Sequence, residues 1–124
     1  MRVNKTFMVG ASPLNIVTET AVAPVAADPV MPLSRLFVQM AAGGAGIGYV
    51  LSGVPRGVVG DATNAAHLTA QLGAAADALH PGDGYQETAS QNNGASGNEL
   101  DARGVWVHGG NAGDKIIVSF DQKV

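Results

Sequence analysis

Short apolar stretches rich in β-branched and aromatic residues recur from residue 35 onward, separated by turn-forming residues. Runs of this kind are typical of β-strands. They lie at residues 36–40, 47–51, 105–108 and 115–120. Residues 82–104 are predicted to be mostly loop, in which residues 85–88 allow one short strand. The pattern predicts an all-β domain over residues 34–124, an antiparallel β-sandwich or barrel that is jelly-roll-like.

The last two stretches carry the strongest local signal. Residues 105–108 and 115–120 are β-rich, and residues 109–114 between them are almost all turn formers. Two such runs joined by a short loop predict an antiparallel hairpin. We expect Trp106 and Ile117 to lie in the core.

Residues 64–80 allow two interpretations. Leu68, Leu72 and Leu79 recur at helical spacing, and Pro81 would end a helix there. However, residues 67–72 also alternate with a period of two, and Gly73 would lie inside the helix. The local pattern favours a helix, whereas the surrounding strands favour a strand followed by a loop, which is the prediction adopted.

Residues 1–33 differ from the rest because four prolines, Pro13, Pro24, Pro29 and Pro32, interrupt them. Proline removes a backbone donor, so neither a long helix nor a central strand fits. The segment is predicted to be an extended arm, with one or two edge strands, that contacts a neighbouring subunit while residues 34–124 fold without it. Its predicted interface residues are Phe7, Val9, Leu14, Ile16, Val17, Val22 and Val25.

The same interruptions argue against a targeting segment. A secretory signal needs an unbroken apolar run of about 7–15 residues, and a membrane helix needs about 20. Pro13, Asn15 and Thr18 break the first apolar region. We expect neither a signal peptide nor a contact with membrane.

Charge is sparse in this chain. Only 14% of its 124 residues are charged, against about 25% in typical soluble domains. A neutral surface is less costly to cover with another chain, so the composition favours a homo-oligomer or docking on a larger assembly. The net charge of −3 and the scattered basic residues predict no nucleic-acid binding.

No group of residues has the spacing of a catalytic or cofactor site. The glycine-rich residues 43–48 lack the lysine of a phosphate-binding loop and predict a bend instead. His67, His80 and His108 lack zinc-site spacing, and the chain has no cysteine. The carboxylates Asp77, Asp83, Glu87, Glu99 and Asp101 are predicted to lie in or near solvated loops. We therefore expect no enzyme activity, cofactor or metal.

Three pieces of the chain carry a family resemblance: residues 46–55, residues 80–85, and residues 100–109 with 112–120. Through them, residues 35–124 resemble small virion structural proteins of tailed bacteriophages, of the head-decoration or cement type. The resemblance implies a β-sandwich or barrel that sits as a homotrimer on the capsid surface, contacts the major capsid protein and has no active site.

The alternative hypothesis is a carbohydrate-binding β-sandwich, as on phage tails or secreted enzymes. It would use Tyr85, Trp106 and loop acids, since sugars stack on exposed aromatic rings. A small hydrolase using loop carboxylates has the least support in the sequence.

Overall fold

The structure is a computed structural model that describes residues 2–8, 13–20, 27, 29–52, 77–88, 100–109 and 111–122. These residues form two antiparallel four-stranded sheets. Sheet A contains β1 (Arg2–Met8), β8 (Lys115–Gln122), β3 (Leu33–Met40) and β6 (Gly84–Thr88), in that order. Sheet B contains β2 (Leu14–Asn15), β7 (Trp106–Gly109), β4 (Gly48–Leu51) and β5 (Asp77–Leu79).

The strand order is that of a jelly roll. Consecutive strands alternate between the sheets except β4 and β5, which pair with each other in sheet B. The sheets do not close into a barrel, so of the two predicted architectures the sandwich is confirmed. Among the described residues, no helix is both long and apolar enough to cross a membrane.

The four strands predicted from apolar stretches and the short strand allowed at residues 85–88 are present, with shifted ends. They correspond to β3, β4, β6, β7 and β8. Of the ambiguous residues 64–80, residues 64–76 lie outside the described part of the chain. At the C-terminal end of this range, Asp77–Leu79 is a strand.

The predicted hairpin of residues 105–108 and 115–120 is wrong, because β7 and β8 belong to different sheets. β8 pairs with β1 on one side and β3 on the other, which leaves it no edge for β7. Gly109 and Gly113 have φ of 92°, a left-handed conformation that favours glycine. The turn signal was therefore real, but it marks a crossing between sheets.

The expected burial of Ile117 is also wrong. Ile116, Val118 and Phe120 face the core, and Ile117 is 37% exposed on the opposite face of β8. The local alternation already favours this frame, because Ile116, Val118 and Phe120 are all apolar, whereas Lys115 and Ser119 share the other face with Ile117. The pairing of β8 with β1 and β3 has the same frame.

The core lies between the sheets. Its members from sheet A include Phe7, Leu36, Met40, Ile116 and Phe120. Trp106 is buried as predicted, with 1% exposure, but it does not belong to this cluster. Its sequence neighbours Val105 and Val107 do belong to the cluster. Because successive side chains of a strand point to opposite faces, the Trp106 ring is buried on the other face of sheet B.

The two strands of the predicted arm are edge strands of this same sandwich. β1 pairs with β8 along its whole length without a register shift, and β2 pairs with β7. Asn15 of β2 is fully buried and uses both ends of its amide. Its Nδ2 donates to the carbonyls of Arg103 (2.8 Å) and Val105 (3.4 Å), and its Oδ1 accepts from the amides of Val17 and Thr18.

We predict that Asn15→Ala lowers the free energy of unfolding by about 2–4 kcal/mol, because it leaves several buried backbone groups unpaired. Chemical denaturation measures this loss. The matched control is Asn4→Ala on the exposed side of β1, which should change stability by about 0.5 kcal/mol or less. Equal effects of the two substitutions would contradict the assigned network.

Candidate functional site: the outer face of sheet A

The side chains on the outer face of sheet A can be identified from strand alternation, since successive side chains point to opposite sides of a sheet. The register with β8 places the outward residues of neighbouring strands in rows. The side chains of this face are Arg2, Asn4, Thr6 and Met8 of β1; Lys115, Ile117, Ser119 and Asp121 of β8; Arg35, Phe37 and Gln39 of β3; and Gln86 and Thr88 of β6.

The two central rows of this face contain no charged side chain. One row runs from Thr6 through Ile117 to Gln39, and the next runs from Asn4 through Ser119 and Phe37 to Gln86. Ile117 is 37% exposed and Met8 at the margin is 66% exposed. The centre of the face is therefore neutral and partly apolar.

Phe37 lies along the sheet instead of pointing straight out. A Cβ added to Gly84 of the neighbouring strand would come within 3.2 Å of two atoms of the Phe37 ring. The glycine thus makes room for the ring to cover the backbone of β6. This keeps the apolar centre of the face flat.

The charges of this face lie at its ends. Asp121 accepts from Arg2 at 3.0 Å (Oδ1) and 3.3 Å (Oδ2), and Nε of Arg35 lies 3.4 Å from the same Oδ2. The hydrogen bond from Arg2 is the main cause that lowers the pKa of Asp121. Lys115 occupies the opposite end, beside Met8. The neutral centre is therefore framed by three basic residues and one acid.

The predicted interface residues do not lie on this face. Phe7 (4% exposed) and Ile16 are buried in the core of their own chain, which gives them a different role from contact with a neighbour. Leu14 and Val17 are partly buried against that core. Val9, Val22 and Val25 lie outside the described residues.

The aromatic residues of the carbohydrate hypothesis are less accessible than the sequence indicated. Trp106 is buried and offers no ring face to a sugar. Tyr85 is half-buried, and its hydroxyl donates to Oε1 of Glu87 at 2.9 Å. Ser52, beyond the end of β4, donates to the same oxygen at 3.1 Å. This cluster joins the two sheets at one open side of the sandwich.

The glycine-rich residues 43–48 form a bend, as predicted, and the anion that they bind belongs to the chain itself. The carboxylate of Asp114 accepts from the backbone amides of Ala45 and Gly46, the latter at 2.8 Å. It also accepts from the amide of Asn111 at 2.8 Å. These bonds lower the pKa of Asp114 and tie two turns together. The sequence analysis missed this role, since nothing local links residues 45 and 114.

Asp114 predicts a specific pH dependence. Because its pKa is lowered on folding, its carboxylate stabilises the fold above the pKa of an unfolded aspartate, about 3.9, and this contribution is lost as the pH falls through the folded value. Asp114→Asn should lower the melting temperature at pH 7, and the gap to the wild type should narrow between about pH 5 and pH 2.

Asp121→Asn is the matched control for that series. Asp121 forms ion pairs on an exposed face, which salt screens. Its effect on the melting temperature should be small and should vanish in about 1 M salt. The effect of Asp114→Asn should persist, because backbone hydrogen bonds carry it. A constant gap for Asp114→Asn across the whole acid range would contradict the assignment.

The other predicted acids and histidines show local roles or no grouping. Asp101 accepts from the amides of Met31 and Arg103, and Asp83 accepts from the amide of His80. His67 and Glu99 lie outside the described residues. Within the part of the chain that the structure describes, no group of three histidine or acidic residues could hold a metal ion.

Comparisons of the chain with protein-family models, with curated proteins and with solved structures found no significant match.

Proposed function

We propose that the protein is a non-enzymatic structural protein of a phage particle, a homo-oligomer that decorates or cements the capsid through subunit contacts. The observation that carries this proposal is the neutral, partly apolar outer face of sheet A. A face of this kind is inexpensive to desolvate, because few charged groups must lose their water. It supports a role in which the protein is covered by another protein surface.

The low charge of the whole chain supports the same proposal. With 14% charged residues, the protein has fewer than a typical soluble monomer keeps for solubility. Interface centres are depleted of charged residues. A small domain that is covered by other subunits in an assembly needs fewer surface charges to stay in solution.

The fold supports the proposal by analogy. Jelly rolls serve as viral capsid domains, and also as lectin domains and cupins. A fold alone does not decide between these functions. The resemblance of residues 35–124 to phage decoration proteins favours the virion among them, and a homotrimer on the major capsid protein is the arrangement that the resemblance implies.

The test is quantitative mass spectrometry of purified particles from the source phage, together with sedimentation velocity of the isolated protein. We expect the chain at a fixed stoichiometry to the major capsid protein, and an oligomer at micromolar concentration. Absence from the particles together with a monomer in solution would refute the proposal.

A further inference from the structure

The edges of sheet A are protected against the addition of another strand. The inward positions of β1 include Lys5, whose Nζ donates to the carbonyl of Ile16 at 3.0 Å and lies 3.7 Å from Glu19. The inward positions of the opposite edge strand, β6, include Glu87, held by Ser52 and Tyr85. Inward-pointing charges are one device by which edge strands avoid pairing with another chain. Association of the sheet edges is therefore disfavoured.

The outer face of sheet A lacks such protection. Its centre carries Ile117 and Phe37 among neutral polar residues, and Met8 at its margin is two-thirds exposed. Exposed apolar groups that share one face mark association sites more often than scattered ones do. Of the open surfaces of sheet A, the outer face is the one suited to cover by a partner.

The charge distribution indicates what kind of surface covers it. The outer face carries three basic residues and one acid, a net charge of +2. Outside this face, the described charged side chains that solvent reaches include two basic and four acidic ones, a net charge of −2. They are Lys5, Arg103, Glu19, Asp83, Glu87 and Asp101. The chain thus has a basic face and an acidic remainder, which are complementary to each other.

We propose that the outer face of sheet A binds the acidic remainder of a second copy of this chain, in a head-to-tail contact. A two-fold contact of the face with itself would bring two surfaces of +2 together, and like charges across an interface are unfavourable. A head-to-tail contact brings opposite charges together and forms a ring when the rotation closes. This inference rests on the proposed self-assembly and names its surface.

Charge substitutions at Ile117 test the inference, because this side chain is exposed and its replacement should leave the fold intact. If the partner surface is acidic, Ile117→Glu adds repulsion and Ile117→Lys adds attraction that offsets the lost apolar contact. We expect Ile117→Glu to weaken self-association at least about tenfold and Ile117→Lys less than about threefold. The difference should shrink in about 1 M salt.

Sedimentation equilibrium of the full chain at micromolar concentration measures these constants. Ala112→Ser, a neutral change in the exposed turn before β8, is the control and should associate like the wild type, and unchanged melting temperatures will show that all variants fold. The reverse order, with Ile117→Lys the weaker associator, would overturn the head-to-tail contact in favour of a two-fold one. If both variants and the wild type associate equally, the outer face of sheet A is not the contact surface, and self-assembly uses another surface. A wild type that is monomeric yet binds capsids would also overturn this inference and leave the proposed capsid role standing.

Discussion

Trp106→Ala should lower the free energy of unfolding by about 3–5 kcal/mol, the range for removing a large buried aromatic side chain. Trp106 is 1% exposed and is the largest fully buried side chain of the described residues. Its cross-strand neighbours are Asn15 and Leu51, so the cavity would open where three strands of sheet B meet. For a domain of this size, the loss corresponds to a fall in melting temperature of roughly 10–20 °C.

Calorimetry or denaturation followed by circular dichroism measures this effect. Ile117→Ala is the control, since it removes an exposed apolar side chain, and it should cost about 1 kcal/mol or less. Trp106 is the only tryptophan, so the emission of the native protein should also be that of a buried indole and shift to the red on unfolding. An unchanged melting temperature together with a red native emission would show that the ring is exposed.

Deleting residues 2–30 should abolish cooperative folding. The deletion removes both β1, which covers one whole side of β8, and β2 with its buried Asn15. It also removes Phe7 and Ile16 from the core and leaves β8 with an unpaired edge. The stability of a domain this small is about 5–15 kcal/mol, less than these losses together.

Circular dichroism and size exclusion of the truncated chain measure the outcome, and two adjacent substitutions in β1 serve as matched controls. Phe7→Ala should cost about 3–5 kcal/mol, whereas Met8→Ala, at 66% exposure, should cost about 0.5 kcal/mol or less. A truncated chain that melts cooperatively would instead favour an arm that serves a neighbouring subunit.

Strand content was predictable because it depends on local signals. Apolar β-branched runs and the turn formers around them predicted β3, β4, β7 and β8, whereas the polar sequence of β6 only allowed a short strand. The bend at residues 43–48 followed in the same way from its glycines. These features need only neighbouring residues to form.

The pairing of strands was not predictable, because it depends on contacts between distant parts of the chain. A turn between two strands looks the same whether it closes a hairpin or crosses between sheets, as the loop between β7 and β8 does. The frame of β8, by contrast, is contained in the local pattern. Ile116, Val118 and Phe120 form the apolar set and Lys115, Ile117 and Ser119 the other, and the prediction that Ile117 is buried overlooked this alternation.

The candidate site was hidden for the same reason as the strand pairing. Its outer face combines β1, β8, β3 and β6, and no single strand shows that their outward residues form a neutral centre with basic ends. The low charge of the chain favours a surface suited to association, but it does not say where that surface lies. Phe7 and Ile16, predicted as interface residues, lie in the chain's own core, because apolar residues in a proline-rich segment can equally fill that core.

The most direct measurement of the central claim is an electron cryomicroscopy reconstruction of phage particles purified from the source of this chain. The proposed role predicts density on the capsid surface that fits the jelly-roll sandwich, with the outer face of sheet A, including Ile117 and Phe37, covered by a neighbouring copy. A capsid without such density, in particles whose protein content lacks this chain, would contradict the claim.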